Sequence, residues 1–207
     1  MPDSAAVEWL VAAATASAVI APVELPDKTF VATLVLATRY RPWPVWLGVV
    51  SAFAVQVIVA VAAGGLIGLL PELPVRLVAA GLFAAGAVIM LRSARRAEVT
   101  GRAQEREYGR RVRQPRHGWR AFGASFLLIA TAEWGDLSQL LVAGLVASGQ
   151  PATAVAAGAW VALAGVSGAA VLLGRAVLHR IRLSVIRYLA AGVCAVLATA
   201  TLVSAVT

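Results

Sequence analysis

Two short stretches of this chain carry residues that could do chemistry inside a membrane. Glu24-Leu25-Pro26-Asp27-Lys28-Thr29 lies in a long apolar run from about Val7 to Ala37. Glu133-Trp134-Gly135-Asp136-Leu137-Ser138 lies in another, 109 positions later. That offset matches Glu24 to Glu133, Asp27 to Asp136 and Thr29 to Ser138, and it also matches Pro42 to Pro151. The chain therefore reads as two halves, each setting a Glu and an Asp within an apolar span.

Glu and Asp three apart on a helix share a face, with Cβ atoms roughly 5–6 Å apart. Each copy is thus expected to aim two carboxylates the same way. Two copies could converge four of them, Glu24, Asp27, Glu133 and Asp136, with hydroxyl oxygens added by Thr29 and Ser138. An all-oxygen set suits hard or borderline divalent cations such as Ca2+, Mn2+ or Mg2+.

Magnitude separates this from decoration. An acid at the centre of a span costs about 2.5–3.5 kcal/mol, so four unpaired ones cost about 10 kcal/mol. Lys28 offsets only one of them. The others need a bound cation, bound protons or a watery cavity. A site that must hold either a metal ion or protons is the core of an exchanger. The plainer reading makes the acids and Lys28 interhelical glue. It suits a single copy better than two copies at matched positions.

The elements that must position these residues are membrane spans. Of 207 residues, 60% are hydrophobic and 14% charged, whereas a soluble domain is nearer half and a quarter. The expected spans run about Val7–Ala37, Val45–Leu70, Val75–Leu91, Trp119–Ala147, Ala152–Leu173 and Val185–Val206. The fold class is all-α: a polytopic membrane protein of six transmembrane helices. Residues 1–91 form a first three-helix repeat, 92–120 a basic linker and 121–207 a second repeat.

Proline and glycine shape the motif spans. Pro22 and Pro26 each remove a backbone donor, so the first span is expected to break beside its acids. Carbonyls freed in that way line cavities and bind cations. Gly135 stands where Pro26 stood and is expected to loosen the fourth span without an enforced break. Tyr40, Trp43 and Trp46 fit an interfacial aromatic belt. Gln56, the one strongly polar side chain of the second span, reads as an interhelical hydrogen bond. Neither His117, in the linker, nor His179, in a loop, is placed to join the carboxylates. Cys194 is the only cysteine, so no intrachain disulfide can form.

The net charge of +8 could suggest nucleic acid, but the basic residues fall in short loops between spans. Sixteen Arg lie in the loops after spans one, three and five, against Arg76 alone on the other side. The positive-inside rule makes those loops cytoplasmic and both termini extracytoplasmic. The first apolar run lacks the basic flank of a signal peptide and is kept as a span. Three spans per half reverse direction, so the halves form an inverted repeat, a plan that sets the substrate site between repeats near the midplane.

The motif pair resembles the Golgi-type calcium/manganese–proton exchangers, with their bacterial and chloroplast relatives. That family carries two copies of E-x-G-D-[KR]-[ST], one per three-helix half. Here Pro26 replaces the glycine of the first copy and Leu137 the basic residue of the second. The resemblance covers essentially the whole chain. It implies antiport of Mn2+ or Ca2+ against protons, with the motif acids as ligands and proton acceptors. The ion is bound transiently, and no prosthetic group is expected. For a bacterium it implies export across the plasma membrane. Three rivals remain: a six-span transporter of another small substrate such as an amino acid or monovalent cation, an intramembrane hydrolase, and a structural protein. A hydrolase would need a base for Ser138, and no His lies near it in sequence.

Overall fold

The computed structural model describes residues 2–25, 28–94, 107, 110, 118–178 and 183–206. Among these are eight helices: α1 (Pro2–Glu24), α2 (Lys28–Arg39), α3 (Pro42–Ile67), α4 (Glu72–Ala94), α5 (Trp119–Ala132), α6 (Leu137–Ala147), α7 (Ala152–Leu178) and α8 (Leu183–Val206). Five contain stretches long and apolar enough to cross a membrane: α1, α3, α4, α7 and α8. The pair α5 and α6 is bent by 68° and together makes a sixth crossing. Large side chains such as Ile58, Leu66 and Leu172 are exposed, as lipid-facing residues of a membrane bundle are.

The side-chain contacts give the helix directions. Trp9 Nε1 donates to Thr153 Oγ1, and Ser17 Oγ donates to the Gly158 carbonyl, so α1 and α7 run parallel. Gly48 lies against Phe122, and Gln56 Nε2 donates to the Ile129 carbonyl, so α3 and α5 also run parallel. Arg76 Nη1 donates to the Ser204 carbonyl while Gly86 sits beside Cys194, so α4 and α8 are antiparallel. Trp46 Nε1 donates to the Ala164 carbonyl and Trp160 Nε1 to that of Val50, so α3 and α7 are antiparallel as well. These four relations agree only if α1 with α2 makes one crossing and α5 with α6 makes one. Six crossings follow, and spans one and four point in opposite directions. The protein is an all-α membrane protein of two inverted three-helix repeats.

The repeats also interlock symmetrically. Each broken span packs on the second span of the other half: α1 and α2 on α7, α5 and α6 on α3. A Cβ at Gly48 would stand 2.5 Å from the Phe122 carbonyl oxygen, and one at Gly158 would overlap that of Ala13. Ala13 and Phe122 are themselves 109 positions apart. The same close approach, with glycine removing the obstacle, is thus built once in each half.

Three expectations change in the structure. Pro22 lies inside α1, which continues to Glu24; the loss of one donor is absorbed without ending the helix. Gly135 does not merely loosen the fourth span; the chain breaks there. Trp46 and Tyr40 pack into the bundle and do not stand free on its surface. Trp46 is half-buried with its ring against Gly168, where the missing side chain admits the indole, and Tyr40 is buried. Only Trp43 stays exposed. Gln56 is buried and makes the interhelical bond expected of it. His117, His179, Pro26, Asp27 and most of the 92–120 linker lie outside the described residues.

Candidate ion site

Both spans that carry a motif break at the same register. α1 ends at Glu24, and α5 ends at Ala132 with Glu133 as its C-cap. α2 begins at Lys28 and α6 at Leu137, again 109 positions apart. Each motif therefore straddles a break in its span.

The second break is fully described. Glu133 leaves the helix at φ −109° and ψ 15°, and its side chain is 3% exposed. Trp134 is exposed. Gly135 takes φ +76°, the left-handed region. Asp136 is extended, at φ −70° and ψ 166°, and N-caps α6 without a side-chain cap bond. Ser138 Oγ lies 3.4 Å from Asp136 Oδ2, to which it donates. Glu133 and Asp136 are thus not neighbours on a continuous helical face, as their spacing predicts. A left-handed residue between them ends the helical repeat, and the chain turn joins them instead, with the Asp136 N–H donating to the Glu133 carbonyl at 3.3 Å.

Gln139 holds this turn from one helical step away. Its Nε2 donates to the Glu133 carbonyl at 3.1 Å, and its Oε1 accepts from the Gly135 N–H at 3.2 Å. Sequence reasoning missed this residue. A Gln six positions past a Glu has no meaning until the chain folds back. Gln139→Leu removes both bonds and is expected to destabilise the protein by about 1–3 kcal/mol. The check is a lower melting temperature in detergent.

Gly135 is also needed for its backbone. No atom lies within 4 Å of where its Cβ would be, so Gly135→Ala tests conformation alone. The left-handed conformation costs an L-residue about 1–2 kcal/mol, and thermal unfolding of this variant is expected to show that loss. Proline is fixed near φ −65° and cannot adopt this turn at all.

The first motif buries its described groups as deeply. Glu24 is 1% exposed and Thr29 1%, against 6% for Ser138. Thr29 Oγ1 has no hydrogen-bond partner among the described residues. Asp27 and the Lys28 side chain lie outside those residues. Among the described residues no group of three or more His, Cys, Asp or Glu side chains is close enough to hold a metal ion. The helices that flank the two breaks do touch across the repeats, α1 against α6 and α2 against α5.

Electrostatics favour ions at such breaks. The N-terminus of α6 carries roughly half a positive elementary charge beside Asp136. It supplies there some of what Leu137 does not, where the first motif has Lys28. The carbonyl end of α5 meets the same point, so groups suited to an anionic side chain and to a cation lie together.

A family model described as the divalent cation/proton antiporter GDT1 matches residues 12–98 and again residues 121–207. The two matches are displaced by the same 109 positions as the motifs, at both ends. The chain belongs to the GDT1 family. A GDT1-like protein of Synechocystis sp. is 34% identical over 145 residues, covering 66% of this chain and 69% of that protein. No solved structure matches. Membership makes this a multi-pass membrane protein that exchanges a divalent cation for protons. In a GDT1 protein the ion is cargo, and no prosthetic group is expected.

Proposed function

We propose that the protein exports Mn2+ or Ca2+ across the plasma membrane in exchange for protons. The carrying observation is the pair of buried acids, Glu24 and Glu133, each at the point where a span breaks. A carboxylate buried that deeply in a span is suited to exchanging a divalent cation for a proton, since either one neutralises its charge.

In this reading Glu24, Asp27, Glu133 and Asp136 ligate the ion, and Thr29 and Ser138 add hydroxyl oxygens. Lys28 supplies the one positive side chain beside the acids. The ion enters from the cytoplasmic side and binds the ionised carboxylates. Protons arriving from outside neutralise them and release it there. The repeats, residues 1–91 and 121–207, then rock about the site, while the basic 92–120 linker stays cytoplasmic and both termini extracytoplasmic.

Calorimetric titration of the detergent-solubilised protein with Mn2+, Ca2+, Mg2+ and Na+ tests the ligand set. Saturable binding of one divalent ion, with protons released on binding, is the expected result. Binding without preference for divalent ions would contradict the reading and favour another small substrate.

A further inference from the structure

α2 is buried on every side from Thr29 to Leu36. Within it, Thr33 is fully buried and its Oγ1 has no hydrogen-bond partner among the described residues. This is unusual for the molecule. Buried Ser125 donates to the Ala121 carbonyl at 2.9 Å and buried Ser167 to that of Ala164 at 3.1 Å. Even exposed Thr131 and Thr199 bond back to their own helix. A helical Thr has the carbonyls three and four residues back within reach and ordinarily uses one. Thr33 uses neither, and no other polar group among the described residues takes their place.

The only other unpartnered buried hydroxyl among the described residues is Thr29, four positions earlier. Residues four apart share a helix face. Two bare hydroxyl oxygens therefore line one face of α2, the first inside the motif and the second one turn beyond it towards Arg39. The second repeat has no such row, because the counterpart of Thr33 is Val142, an apolar buried residue.

We infer that Thr33 is a further oxygen ligand for the divalent cation, one turn of α2 beyond Thr29 and present in the first repeat alone. This rests on the proposed exchange function. Unspent oxygen lone pairs in a dry helix replace water as a hard cation sheds its shell. Because only one repeat has the row, the ion meets an extra oxygen on the α2 side of the site.

The test is ion-driven proton flux in proteoliposomes, with KM and maximal rate measured separately for wild type, Thr33→Val, Thr33→Ser and Val142→Thr. Valine keeps the shape and removes the oxygen. Loss of one neutral ligand is expected to raise the KM for the ion about threefold to tenfold. Serine is expected to restore it within about twofold. Thr33→Val should melt at or above the wild-type temperature, since it removes a hydroxyl that has no partner. Val142→Thr reports whether the row can be built in the second repeat, and a KM at or below the wild-type value is expected. An unchanged KM in Thr33→Val overturns the inference. So does a raised KM that Thr33→Ser shares, or a Thr33→Val protein that melts below wild type. Absence of flux from folded wild type would instead overturn the exchange reading itself.

Discussion

Glu133→Gln is expected to lower ion-driven proton movement about ten- to hundredfold, and Glu24→Gln to do the same, because each removes a charged partner worth roughly 1.5–3 kcal/mol. Glutamine matches glutamate in size, so the packing around a side chain 1–3% exposed is kept. What it cannot do is carry a proton or the charge that holds a divalent cation. The two variants should be equally damaged, since Glu24 and Glu133 occupy the same register of the two breaks. A purely structural role predicts a different pattern. Neutralising a buried acid would then spare transport per folded molecule and change only the amount of folded protein. Measuring both quantities on one preparation separates the two accounts.

The second large effect concerns the frame. Gly158→Ala is expected to prevent α1 and α7 from docking, and Gly48→Ala to do so for α3 and α5. In both cases the new methyl would meet a backbone carbonyl, of Ala13 or Phe122, which cannot rotate aside. Overpacking of this kind costs about 1–3 kcal/mol, and more where only whole-helix movement relieves it. The control is Gly165→Ala on the same helix as Gly158. Nothing lies within 4 Å of its would-be Cβ, and alanine favours a helix by about 0.5–1 kcal/mol. Melting temperatures in detergent should therefore fall for the first two variants and hold or rise for the third. Equal effects at Gly158 and Gly165 would contradict the interlocked packing.

Much of this was legible before any coordinates. The 109-residue offset between the motifs anticipates where both spans break, down to α2 and α6 starting at matched residues. Apolar runs located the spans to within a few residues. The local chemistry of the break was not legible. Spacing alone set Glu133 and Asp136 on one helical face, because a period of three is the helical reading until a positive φ at Gly135 ends the helix. Gln139 carried no signal, since its two bonds exist only once the chain turns back. Trp46 looked like an interfacial anchor because aromatic residues beside a basic turn usually are. Its partner, Gly168, is 122 positions away, and that pairing emerges only from the antiparallel crossing of α3 and α7. Thr33 was invisible for a simpler reason. A Thr in an apolar helix normally bonds to its own backbone, and only the structure reveals that this one does not.

The most direct test of the central claim is proton movement driven by a divalent ion gradient. Purified protein would be reconstituted into liposomes loaded with a pH-sensitive dye, and Mn2+, Ca2+ and Mg2+ gradients imposed in turn. The account predicts proton flux opposite to the ion for at least one of Mn2+ and Ca2+, lowered about ten- to hundredfold in both Glu24→Gln and Glu133→Gln. No flux with any of the three ions, from protein that retains its melting transition, would contradict it.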